Sequence, residues 1–122
     1  MQIAFSYPRR GLEGTFNTFR LGTSWADKLQ PGTEVELVDS RSKKLLKRAT
    51  VISVVTGQLE QMAGLHAHQA HNWKNHPADE RPGLLTASMI KRYPPGRVRS
   101  DSVVSVIYME ELNDRSEEPY DG

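Results

Sequence analysis

The chain has 122 residues, 37% of them hydrophobic and 25% charged, and it holds no cysteine. That length supports one domain with a small but real core. The composition excludes disulfide staples and thiolate metal sites. The net charge of +1 conceals a split: residues 1–109 carry 15 Lys/Arg against 9 Asp/Glu, while residues 110–122 carry 6 Asp/Glu against Arg115. A basic body fits a polyanionic partner, and it fits a plain solvated surface with a solubilising acidic tail equally well.

No apolar run approaches the roughly 20 residues that span a bilayer, so no membrane association is expected. The first residues, Met1 to Tyr7, lack the basic-then-apolar order of a signal peptide. Together with the missing cysteines this leads to the expectation of a cytoplasmic protein.

In chain order, Ile3 to Tyr7 reads as a short strand, and Pro8-Arg9-Arg10-Gly11 breaks it. Thr15 to Arg20 alternates, with Phe16, Thr18 and Arg20 on one face and Thr15, Asn17 and Phe19 on the other. Thr23 or Ser24 is placed to cap a short helix through Leu29, with Asp27 near its positive end. Pro31-Gly32 is a turn, and Thr33 to Val38 alternates again. A polar connection from Asp39 to Lys44 leads to a long β-branched run, Leu45 to Thr56. The two segments pair as a hairpin, and Gly57 is the expected end.

Leu59 to Trp73 carries Leu59, Met62, Ala63, His66, Ala70 and Trp73 on one stripe, which predicts a helix. Asn75 to Gly83, with two prolines, reads as a loop. Leu84 to Tyr93 reads as a second helix, stopped by Pro94-Pro95-Gly96. After a basic connection at 97–101, Ser102 to Met109 is apolar on both faces and predicts a well-covered strand. Residues 1–110 then form the domain, and residues 111–122 an acidic tail too poor in apolar groups to fold. Five strands with helices between them give an α+β, mainly β class: a small antiparallel barrel with two or three inserted helices. Parallel winding is not expected, because the early strands are too close together for crossover helices.

The segment from Gly14 to Leu37 holds the clearest chemistry. A guanidinium at Arg20 forks onto a phosphate or a base edge, and the Trp25 ring stacks on a base. The ordered set Thr18-x-Arg20, the Trp25–Leu29 turn, Leu29-Gln30-Pro31-Gly32-Thr33-Glu34-Val35, Val51-Ile52-Ser53-Val54, Tyr93-Pro94-Pro95-Gly96 and the closing Val103–Met109 resembles the ASCH domain of the PUA-like superfamily. The resemblance covers roughly residues 11–110. It implies a PUA-like barrel with a cleft beside the signature strand, used for RNA or modified-nucleoside binding.

Some members of that family are amidohydrolases of acylated cytidine, with a Gly-x-Lys-x-x-Thr-x-Arg pattern. Anchored on Arg20, this chain has Thr18 at the Thr position but Thr15 where the catalytic Lys stands and Glu13 where the Gly stands. Loss of the Lys removes the candidate nucleophile or base and leaves binding intact.

The expected nucleic-acid-binding set is Thr18, Arg20, Trp25, Lys43, Lys44, Lys91, Arg92, Arg97 and Arg99, with RNA preferred to DNA. Each has a plain structural alternative: an ion pair for Arg20 with Asp27, a core plug for Trp25, a solvated loop for the rest. His66, His68, His71 and His76 lie close in sequence, yet on a continuous helix they diverge, and no thiolate completes a shell. Neither a metal nor a cofactor is implied, and no catalytic residue is assigned. The rival readings are an amidohydrolase acting on a modified nucleoside and a protein-interaction module engaging a partner through the acidic tail.

Overall fold

Alternation in the Thr15 segment sorts its side chains between two cores. The computed structural model describes residues 1–5, 11–71 and 76–112. Strand β1 spans Gln2–Phe5 and β2 spans Thr15–Leu21. Helix α1 is Ser24–Lys28, followed by β3 at Glu34–Asp39 and β4 at Leu45–Gln58. Helix α2 is Leu59–His66, continued by a 3₁₀ turn at Ala67–Gln69. Helix α3 is Arg81–Arg92 and β5 is Val103–Glu111. Among the described residues no helix is long and apolar enough to cross a membrane.

The five strands form one sheet in the order β1-β3-β4-β5-β2. All neighbours are antiparallel except β1 and β3, which run parallel with Ile3 opposite Leu37. The class is therefore α+β and mainly β, but the sheet is mixed, against the expectation of antiparallel pairing throughout. The parallel pair is reached without a crossover helix of the usual length. The chain between β1 and β3 leaves for the far edge, lays down β2, and returns through α1.

One face of the curled sheet wraps a core drawn from all five strands. Ile3 and Phe5 from β1, Phe16 from β2, Val35 and Leu37 from β3, Ala49 and Val51 from β4, and Ile107 and Met109 from β5 share one inner core. The other face carries Phe19, Val104 and Val106 against Leu59, Ala63, Leu85 and Met89 of the helices. Each large apolar side chain buried this way contributes roughly 1.5–3 kcal/mol. Two register shifts, at Leu37/Val38 in β3 and Val51/Ser53 in β4, bend the strands as bulges do. The second turns Ile52 outward, leaving it 43% exposed in mid-strand.

The expected barrel does not close. Among the described residues, β1 and β2 are edges that share no ladder. Ala70 and His71 take the place beside β2 instead. Asn17 forms a parallel bridge with Ala70, and the His71 N–H donates to the Asn17 carbonyl at 3.1 Å. Gly11 fixes this arrangement from the other side. It has φ +75, and a Cβ there would fall 1.5 Å from the His71 carbonyl oxygen.

The same segment corrects the long helix expected over 59–73. α2 stops at His66 because its polypeptide is drawn off as the edge partner of β2. Trp73 lies outside the described residues. β4 runs through Gly57 to Gln58 and passes directly into α2. α3 starts at Arg81 rather than Leu84, with Pro82 in its first turn, where a missing N–H costs nothing. The Thr23 cap of α1 makes no side-chain hydrogen bond. Glu111, assigned to the tail from composition, instead completes β5. It accepts from the Gly14 N–H at 3.0 Å and from Lys47 Nζ at 2.8 Å. Residues 113–122 lie outside the described residues.

Candidate nucleic-acid interface

β2 ends with Thr18 and Arg20 on the same side as Phe16, so both point toward the seam between the two free edges. Thr18 is 3% exposed. Its hydroxyl oxygen accepts from Arg20 Nε at 3.2 Å. The Arg20 guanidinium lies over the Phe5 ring, 4.7 Å from its centroid. Phe5 in turn meets the His71 ring edge-on, with centroids 4.9 Å apart. A strand-end arginine thus bridges the gap that backbone pairing would fill in a closed barrel.

The ion pair with Asp27 is not formed. Among the described residues no carboxylate pairs with Arg20. Burial pushes its pKa down to about 10, and the nearby Arg92 charge pushes the same way, with Tyr93 opposing.

Arg92, the last residue of α3, acts on Arg20 through its charge, while Tyr93 packs on the helix-side core. Lys91 and Arg92 also border a shallow open groove along α3, lined by Leu84, Ala87 and Ser88. Arg97 and Arg99 are exposed in the turn that follows. Arg99 faces Asp101 at 3.5 Å, a solvated pair of little energetic weight. Lys43 and Lys44 occupy the tip of the β3–β4 hairpin, which Asp39 braces by accepting from the Ser42 N–H and hydroxyl at 2.8 Å. Lys43 has φ +64, a left-handed turn position. The Ser40 N–H donates to the Phe5 carbonyl, tying this tip to the end of β1.

Trp25 is placed elsewhere. Its half-buried ring packs against the inner core, and Lys28 Nζ lies 5.4 Å from its centroid. The structure therefore brings together Thr18 and Arg20, sets Trp25 apart, and leaves Lys91 and Arg92 at the end of α3 and the remaining basic residues on turns.

The histidines do not share a helix as the sequence led one to expect. His66 ends α2, His68 lies in the 3₁₀ turn, and His71 follows the bridge at Ala70. His66 Nδ1 lies 2.7 Å from the Tyr108 hydroxyl. Burial, and then His68, hold its pKa below the usual imidazole value. Asn17 Nδ2 donates to the His66 carbonyl at 2.9 Å, while its buried Oδ1 has no hydrogen-bond partner among the described residues.

Phe5 and Gly11 border the seam without having been singled out in the sequence, and His71, weighed there only as a metal ligand, meets the Phe5 ring edge-on. Gly11 gave a turn signal only. The meeting of Phe5 and His71 depends on how far the sheet curls.

No family model matches the sequence, and no curated protein matches it. A solved structure does: protein EF3133 from Enterococcus faecalis V583, described as family-model DUF984. The TM-score is 0.52 with 12% sequence identity, over 92% of this chain and 70% of that one. At that identity the likeness concerns the fold.

Proposed function

We propose that this chain is a PUA-like, ASCH-type module that binds nucleic acid, RNA in preference to DNA, through the seam between β1 and β2. One observation carries the reading. Arg20 is a partly buried guanidinium, stacked on Phe5 and without a carboxylate among the described residues. A polyanion supplies the missing negative charge. Thr18 orients the guanidinium, Arg92 adds a second charge, and Lys43, Lys44, Lys91, Arg97 and Arg99 supply long-range, salt-dependent attraction. The preference for RNA, and a cytoplasmic setting, come from the ASCH resemblance and the cysteine-free composition rather than from the geometry.

The test is a fluorescence titration with single-stranded RNA, duplex RNA and DNA at two salt concentrations. Tightest binding to RNA, weakened by salt, is the expected result. Removal of residues 113–122, with their acidic charge, should raise affinity for RNA by relieving competition. A partner protein lost on that truncation, with RNA unaffected, would favour an interaction module instead. Incubation with acylated cytidine separates the amidohydrolase reading. Thr15, at the position where that reading needs a lysine, is an exposed threonine paired with Glu110.

A further inference from the structure

Asn17 holds a short segment of chain against the edge of β2. Its backbone carbonyl accepts from the His71 N–H at 3.1 Å, its strand position bridges Ala70, and its Nδ2 donates to the His66 carbonyl at 2.9 Å. Residues 66–71 thus lie along β2 as a strap. At its far end His71 meets the Phe5 ring on which Arg20 stacks, so the strap borders the seam.

The apolar anchoring of this strap is slight. Between its two end histidines the buried side chains are Ala67 and Ala70, which contribute far less than the leucines of the neighbouring helices. From α3, Arg81 Nη1 donates to the His68 carbonyl at 2.8 Å. Docking also buries Asn17 completely, with its Oδ1 lacking a partner among the described residues. An unpaired buried acceptor opposes the closed state, and lifting the strap returns that amide to water.

The half-buried His66 ring starts the strap, with Nδ1 2.7 Å from the Tyr108 hydroxyl and the two rings edge-on. The groups around it come from every neighbouring element. β5 gives Tyr108, β2 the neutral Asn17 and the 3₁₀ turn His68. α3 gives Arg81, bonded to the strap at His68. β4 carries no titratable residue from Val51 to Gln58, and α2 has Glu60 at its opposite end. Among the described residues no carboxylate pairs with His66. Burial and the neighbouring His68 both oppose a proton on the ring while the strap is closed. A lifted strap places the ring in water, where the cation is solvated.

We propose that residues 66–71 are an acid-released strap on the edge of β2, latched by His66 against Tyr108 and Asn17. Acid shifts the population toward the open form, because only there is the charged ring unopposed. Opening withdraws His71 from Phe5 and widens the seam. That consequence for the seam rests on the nucleic-acid reading; the strap itself does not.

The experiment follows amide hydrogen exchange of the full chain without ligand at pH 7.5 and 5.5, each rate corrected for intrinsic exchange at its pH. Protection of the His71 N–H should fall severalfold at pH 5.5, while Val106 and Ile107 in β5 keep theirs. His66→Gln should abolish this pH response, with the β5 amides reporting that the variant is folded. Unchanged protection at His71, or loss in step with β5, would overturn the strap. So would an acid response that persists in His66→Gln. An RNA titration at the same two pH values distinguishes the two readings. Selective release at His71 without RNA binding at either pH supports the strap and removes the nucleic-acid reading. RNA binding with His71 equally protected at both pH values does the reverse.

Discussion

Replacing Arg20 by methionine separates a functional guanidinium from a structural one. The pKa of about 10, well below the ordinary guanidinium value, means that the fold disfavours this cation by roughly 3 kcal/mol. The cost is present in full below pH 10 and fades as the pH rises above it, so measurements at neutral pH register all of it. Stacking on Phe5 and the Nε bond to Thr18 act in the other direction, each worth about 1 kcal/mol. Losing them while relieving the buried charge leaves Arg20→Met within about 1 kcal/mol of wild type. Methionine keeps most of the apolar stem and makes its own favourable contact with an aromatic ring.

For a domain of this size 1 kcal/mol moves the melting temperature by about 4 °C. The variant should therefore melt within a few degrees of the wild-type temperature, while its affinity for RNA falls at least tenfold. Thermal denaturation followed by circular dichroism, paired with the titration, measures both. A melting temperature lowered by more than about 8 °C with affinity untouched would refute the reasoning and make Arg20 a structural clamp between the sheet edges.

Three further outcomes follow from the packing. Since His66 has a folded pKa below its unfolded value of about 6.5, its contribution is complete above that value and declines as the pH falls below it. Urea midpoints should drop between pH 7.5 and 5.5, and His66→Gln should flatten that slope; an unchanged slope in the variant would assign the acid sensitivity to other groups. Gly11→Ala meets both a left-handed φ and the His71 carbonyl oxygen. It should cost more than about 2 kcal/mol, seen as a large fall in melting temperature, and near-wild-type stability would mean that the seam is not closed at this point. Lys47 and the Gly14 N–H hold the Glu111 carboxyl below the usual carboxylate range. Its contribution is therefore lost as the pH falls through that lowered value, and Glu111→Gln should cost less than about 1 kcal/mol at neutral pH, an effect that a double-mutant cycle with Lys47→Met isolates.

Much of the secondary structure was legible from one-dimensional signals. Alternation fixed the faces of Thr15–Arg20 and of Thr33–Val38, since a period of two leaves no freedom about which side chains point together. The β-branched run in 45–56 and the doubly apolar 103–109 announced the two central strands. The errors came where local pattern and tertiary demand disagreed. Ala70 continues the helical stripe begun at Leu59, yet the free edge of β2 captures it as a bridge partner, because an unpaired edge offers backbone hydrogen bonds that a helix end lacks. Pro82 looked like a loop residue and is a helix start. Glu111 looked like tail, and its two partners, Lys47 and Gly14, lie 64 and 97 positions away.

The candidate site divides along the same line. The sequence alone determined that Thr18 and Arg20 share a face at a strand end and that the body of the chain is basic. Both properties depend on residue identity and spacing. The tertiary structure decided that Arg20 spans an open seam onto Phe5, that His71 closes on the same ring, and that Trp25 packs with the core instead. Those placements depend on sheet curl, bulge position and strand order. They arise from contacts between segments far apart in the chain, whose geometry no local periodicity encodes.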